Sequence, residues 1–227
     1  MFNNITKSMR ANIMKKMNNL EPQQEPQEQQ GVHIADVNFL MDQIAASIDT
    51  IFITEPITLE SATRICKQLF LIEERNKLLD DYVKPINMVI NSPGGCLHSS
   101  LMITDVMDII KTPVHTFAFG MVASGAFIIY MNGERGHRSA TKNTRFLSHR
   151  FSITISGNHA DLMSFKREID DTHTMMINHY QKCTNMTKKQ IEDILLTEHD
   201  AYLSANECKK YKIVDKIVMP KKKAVIK

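Results

Sequence analysis

Two hydrophobic rhythms alternate along most of the chain. Thr50 to Thr54 (TIFIT) is a β-branched run that predicts a short strand. Ser61 to Lys77 carries Ile65, Leu69 and Ile72 at helical spacing. Ile86 to Asn91 (INMVIN) predicts a strand, which Ser92-Pro93-Gly94-Gly95 breaks. Leu97 to Lys111 predicts a helix, its apolar face running through Leu101, Met102, Val106, Ile109 and Ile110. Val114 to Phe119 predicts a strand, followed by Gly120 and a helix starting near Ser124. Arg145 to Ser148 predicts a short strand, and Asp161 to Lys182 a long helix with Leu162, Phe165, Ile169, Met176 and Tyr180. Thr187-x-x-Gln190 and Ser204-x-x-Glu207 have the form of capping boxes, where a hydroxyl accepts the third amide and the later side chain reaches back. Ile213 to Val218 predicts a last strand. Strand–helix alternation of this kind argues an α/β fold with a largely parallel sheet.

The periodic region begins near Ile34. Before it, Glu21 to Gln30 (EPQQEPQEQQ) has nothing apolar to bury and predicts a linker or disordered tail. The expected organisation is a flexible N-terminal extension over 1–33, one folded domain over 34–219 and a basic tail over 220–227.

Composition narrows the classes. The 227 residues are 43% hydrophobic and 23% charged, enough for a core that needs no disulfide staples. A net charge of +3 argues for neither nucleic acid nor membrane as partner. Cys66, Cys96, Cys183 and Cys208 form no CxxC pair and complete no zinc pattern, so no metal site is expected, and scattered thiols fit the cytoplasm. The first residues lack the apolar stretch of a secretory signal. Pro113 to Met131 is nearly uncharged, but it holds His115, Gly120, Ser124 and Gly125 and reads as a buried strand, a sharp turn and a buried helix start, not as a membrane span. No phosphate-binding GxxxxGK[ST] occurs, so this chain is expected to hydrolyse no ATP.

Acyl-transfer chemistry needs a nucleophile, a base, an orienting acid and donors for an oxyanion. Ser124 sits between a predicted strand and a predicted helix, among small residues, where helix-start amides are free; the same position suits a plain N-cap serine. The Gly94-Gly95 pair also follows a strand, and in α/β sheets sites gather at the carboxyl ends of strands, so the amides of Gly95 and Gly125 are candidates for a shared oxyanion hole. His149 ends a predicted strand, one of nine histidines. Asp200 precedes Ala201-Tyr202-Leu203 and by position alone is no better a candidate acid than Asp193.

The ordered set INSPGG, GMVASGAF, TRFLSH and TEHDAYLSANECKKYKIVDKI resembles the proteolytic subunit of the Clp protease, from about Thr50 to Val218. The resemblance implies a Clp/crotonase-like fold of repeated ββα units with a protruding handle helix, here Asp161 to Lys182. It implies a serine endopeptidase with Ser124, His149 and Asp200 as catalytic triad and backbone Gly95 and Gly125 as oxyanion hole. It also implies a heptameric ring, often stacked in pairs, that encloses unfolded polypeptide substrates. No cofactor is implied; ATP is spent by a partner, an AAA+ unfoldase of the ClpX or ClpA type. Four departures stand out. Gly125 follows Ser124 directly where the family has Met and then Gly. Arg150 to Ile155 replaces a Gln-Pro and glycine-rich strand. His199 replaces an arginine that links rings, so ring pairing is expected to be weakened or pH-dependent. Aromatics of the unfoldase-docking cleft are also replaced near Asn87 and Val89. The alternatives are a crotonase-type acyl-CoA enzyme, a viral head-maturation peptidase working without an unfoldase, and a catalytically inactive ring subunit.

Overall fold

Alternating burial along the first two strands puts Ile and Met side chains into the core. In β1 (Thr50–Ile53), Ile51 and Ile53 are buried; in β2 (Ile86–Ser92), Ile86, Met88, Ile90 and Ser92 are. Residues 49–79 and 84–219 are described by this computed structural model. The expectations for 1–33, for the domain start at 34 and for the basic end 220–227 lie outside the described residues. The remaining strands are β3 (Val114–Ala123), β4 (Arg138–Thr141), β5 (Arg145–Ser148), β6 (Ala201–Ser204) and β7 (Lys216–Val218). They join one seven-stranded sheet in the order β1-β2-β3-β4-β7, with β5 on β3 and β6 on β5. Every pairing is parallel except β5 with β6. The α/β class and the mostly parallel sheet are as read from the periodicity.

The helices bury the stripes their spacing marks out. α1 (Leu59–Leu79) buries Ala62, Ile65, Leu69 and Ile72, and α2 (Leu97–Ile109) buries Ile103, Val106 and Met107. α3 (Gly125–Met131) is buried at every position, which accounts for the long uncharged run around it. Among the described residues no helix is long and apolar enough to cross a membrane. α4 (His159–Cys183) buries side chains only from Thr172 onward, so its first half stands out as a handle. α5 (Lys188–Ile194) and α6 (Ala205–Lys210) start at the two expected capping boxes, and a third box, Asn158 with Asp161, starts α4.

Several elements differ from expectation for identifiable reasons. β3 continues past Gly120 to Ala123, because a bulge absorbs the glycine. The last strand is only Lys216–Val218: Ile213 and Val214 are buried in the turn after α6, where Lys212 takes a φ of 59°. β4 (RSAT) and β6 (AYLS) carry too short an apolar pattern to be read as strands. β4 even points an arginine inward. Arg138 is 2% exposed; its Nε and Nη2 donate to Asp215 at 2.9 Å, and its other N–H groups reach the carbonyls of Cys183 and Lys212, both at 2.6 Å. This cluster ties β4, the end of α4 and the lead into β7 together. Burial alone would raise the Asp215 carboxyl, but hydrogen bonds from Arg138 and Gly136 hold it below its ordinary value.

Candidate active site

The site forms where β3 leaves the sheet. The first half of β3 pairs with β4 (Thr116↔Arg138 to Ala118↔Ala140), and its second half with β5 (Met121↔Arg145 to Ala123↔Leu147). The ladder carries on one step further: the Ser124 N–H donates to the Leu147 carbonyl at 2.8 Å. Ser124 and His149 thus stand at the carboxyl ends of adjacent parallel strands, where α/β sheets collect their chemistry. The imidazole Nε2 of His149 lies 2.8 Å from the Ser124 hydroxyl.

Ser124 itself is strained. Its φ of 51° and ψ of −123° are unusual for any residue but glycine. Such a conformation costs on the order of 1–3 kcal/mol and survives only where the surroundings impose it. The imposing contacts are visible. Gly94, at φ +86°, has room for no side chain: a Cβ would meet the Ala123 carbonyl at 2.4 Å and the Gly125 nitrogen at 2.8 Å. The Gly94 turn is in turn anchored by buried Ser92, whose Oγ donates to the Glu55 carbonyl at 2.6 Å and accepts from the Gly94 N–H at 3.2 Å. The SPGG turn is therefore wedged against the serine turn, and a strand–sharp turn–helix arrangement presents the hydroxyl.

The two glycine amides belong to the turns around this hydroxyl, Gly125 directly following Ser124 and Gly95 in the SPGG turn. Ile57 bridges the turn by donating to the Gly94 carbonyl and accepting from Cys96, both at 2.8 Å, which leaves the N–H of Gly95 outside the bridge. Gly125 is the first residue of α3, a position with no intrahelical acceptor for its N–H. Among the described residues neither amide has a hydrogen-bond partner. Gly95, Gly125, Ser124 and His149 line one cavity of about 220 Å³. No N-cap bond from the Ser124 side chain is made, so its hydroxyl serves the imidazole and not the helix.

Asp200 stands differently. In the antiparallel β5–β6 ladder Ser148 faces Ala201, so the next position places Asp200 across from His149. Asp200 is exposed, and among the described residues it has no hydrogen bond. The structure thus joins Ser124 and His149 directly and leaves Asp200 adjacent but unengaged. Asp193, the other acid that position allowed, is on α5, away from this ladder. His179 is largely buried in α4, its Nε2 3.0 Å from the Ile128 carbonyl; burial lowers its pKa, and it packs as a helix-face residue.

Spacing alone did not reveal the cavity walls. Leu97, Ile128, Phe151, Met176 and Tyr180 give them apolar side chains beside the polar groups of the site, and Cys96 is also among the lining residues. Met176 and Tyr180 read only as an i,i+4 core pair on a helix, and nothing in the sequence tells which neighbour such a pair faces. Tyr180 is fully buried, its hydroxyl 3.1 Å from that of Ser148, and burial pushes it up to about 12. Among the described residues no cluster of His, Cys, Asp and Glu has the make-up of a metal site.

The Clp protease family model matches residues 36–221. The chain belongs to the Clp protease family. The ATP-dependent Clp protease proteolytic subunit of Deinococcus radiodurans is 32% identical over 169 residues, 74% of this chain and 79% of that protein. Subunit 1 of the same protease from Chlamydia pneumoniae is 34% identical over 170 residues, 74% of this chain and 85% of that protein, and the Chlamydia trachomatis protein matches to the same extent. The family membership covers both turns, the bulged strand and the handle helix, so the departures in this chain are variations within a Clp protease frame.

Proposed function

We propose that this chain is a serine endopeptidase, the proteolytic subunit of a Clp-type ATP-dependent protease, its peptidase domain spanning 34–219. The observation that carries the reading is the 2.8 Å contact between the Ser124 hydroxyl and His149 Nε2, made from a strained serine beside two unpartnered amides. Ser124 attacks a peptide carbonyl while His149 takes its proton. The amides of Gly95 and Gly125 receive the oxyanion, Asp200 stabilises the imidazolium, and His149 then protonates the leaving amine before water releases the acyl group. No cofactor takes part. The heptameric ring, single or paired, confines this chemistry to unfolded chains that an AAA+ unfoldase of the ClpX or ClpA type threads in, and it operates in the cytoplasm.

The test is labelling with a fluorophosphonate and assay on an unfolded protein, for the parent and Ser124→Ala. The expected result is label on Ser124 and a loss of turnover on the order of a millionfold in the variant; equal cleavage by both proteins overturns the reading. Asp200, exposed and without a hydrogen bond, is the one observation that favours a second reading, an inactive ring subunit. Under that reading Ser124 takes no label. Co-purification with an ATPase, and particle shape in negative stain, test the partner and the ring.

A further inference from the structure

We propose that Asn91 is a positioning residue for Ser124, acting through the bulge of β3; the inference rests on the peptidase reading. The β2–β3 ladder is regular from Ile86↔Val114 to Ile90↔Ala118 and resumes at Ser92↔Val122. Two steps along β2 (90 to 92) thus match four along β3 (118 to 122), and Phe119, Gly120 and Met121 all face Asn91. Within this slack β3 changes partner, leaving β4 after Ala118 and joining β5 at Met121. A bulge at such a point re-aims the stretch of chain beyond it, here Val122, Ala123 and Ser124.

The Asn91 side chain fills the gap in the ladder. Its Oδ1 accepts the Met121 N–H at 3.0 Å, as a backbone carbonyl would in a regular strand. Gly120 makes room for it: at φ +64° a Cβ would sit 2.6 Å from that same oxygen. The bulge is thereby held on the β2 side by one side-chain oxygen and on the other side by the pairing with β5. Loss of the oxygen frees the Met121 amide to turn toward solvent, Met121 being 44% exposed, and loosens the strand three residues before the hydroxyl. A small displacement of a reacting group lowers the rate of the chemical step much more than it lowers binding.

Among the described residues the Asn91 side chain bonds through its acceptor oxygen alone, which separates this role from general packing. In the assembled full-length protein, Asn91→Ala is expected to slow fluorophosphonate labelling of Ser124, and kcat on a short peptide, by about 10- to 100-fold, with KM within about twofold. Asn91→Asp keeps an acceptor and is expected to recover labelling to within about threefold of the parent. Gly120→Ala, which pushes the carboxamide away from Met121, is expected to act like Asn91→Ala and provides the test if that variant does not fold. Labelling of Asn91→Ala or Gly120→Ala at the parental rate overturns the proposal. So does Asn91→Asp as slow as Asn91→Ala, or a loss confined to KM. If the parent itself takes no label at Ser124, the peptidase reading falls and this inference with it; if the parent labels and the variants match it, only this inference falls.

Discussion

The hydroxyl of Ser124 lies 2.8 Å from Nε2 of His149, although the two residues are 25 positions apart. The link between them is a backbone bond, Ser124 N–H to the Leu147 carbonyl, which extends the ladder joining their strands.

The strain at Ser124 predicts an inverse relation between stability and activity. Glycine takes a φ of 51° without penalty, whereas alanine does not. Ser124→Gly is therefore expected to raise stability by about 1 kcal/mol, or about 2–4 °C in Tm, while Ser124→Ala gains little; both lose peptidase activity. Calorimetry on the two variants checks this, and equal Tm values contradict it.

Asp200 lies across from His149 in register but is exposed and without a hydrogen bond. If it orients the imidazole during turnover, Asp200→Asn lowers kcat on the order of 10⁴-fold, the size seen when a triad histidine loses its acid. Steady-state kinetics on peptide decide the matter: a change under about tenfold removes Asp200 from the mechanism.

Gly125 is glycine for lack of space, not for backbone freedom. A Cβ there would sit 2.2 Å from the Ser100 hydroxyl, which donates to the Cys96 carbonyl at 2.9 Å. Gly125→Ala is expected to cost about 1–3 kcal/mol by overpacking. Adding Ser100→Ala removes the clashing oxygen and is expected to recover most of that loss, a coupling that a double-mutant cycle in urea measures.

The Arg138–Asp215 cluster predicts both a mutational and an acid effect. Asp215→Asn leaves a buried guanidinium without its counter-charge and is expected to cost about 3 kcal/mol. Because the folded carboxyl titrates below its ordinary value, its stabilisation is complete above the unfolded pKa of about 3.9 and is lost as the pH falls through the lower folded value. The gap in stability between parent and Asp215→Asn should thus be constant near neutrality and narrow below about pH 4. Denaturant unfolding across that range measures it.

The four thiols are expected to separate by reactivity. Cys66 and Cys183 are buried, which pushes each up to about 11, and Cys208 is raised further by burial. Cys96 is exposed, and hydrogen bonds from the Ser99 side chain and N–H hold its thiol below the usual range. Its thiolate therefore appears at lower pH, and iodoacetamide on the native protein is expected to modify Cys96 first, with the onset of labelling shifted to lower pH than for a free thiol. Peptide mapping after timed alkylation checks the order.

Legibility from sequence tracked the strength of the local signal. The long helices α1 and α4 were plain because Ile65, Leu69 and Ile72, or Met176 and Tyr180, repeat at helical spacing. β4 and β6 were not, because β4 buries an arginine whose partners are Asp215 and two distant carbonyls, a tertiary arrangement without local pattern. At the site, Ser124, Gly95 and Gly125 were marked by small residues at strand ends. The role of Asn91 was hidden, since an asparagine before a turn looks the same whether or not it bonds a distant amide. The cavity walls on α4 were hidden for the same reason.

The Ser124–His149 pair and the walls around it share part of their support, since the Tyr180 hydroxyl lies 3.1 Å from that of Ser148, the neighbour of His149. Ser124 and His149 are braced by the β3–β5 ladder, while Phe151 comes from the loop beyond β5 and Met176 and Tyr180 from α4. Exchanging Tyr180 therefore alters the wall and removes a contact to the strand that carries His149 in one step. The lining of the cavity and the alignment of the pair are therefore not free to change one without the other.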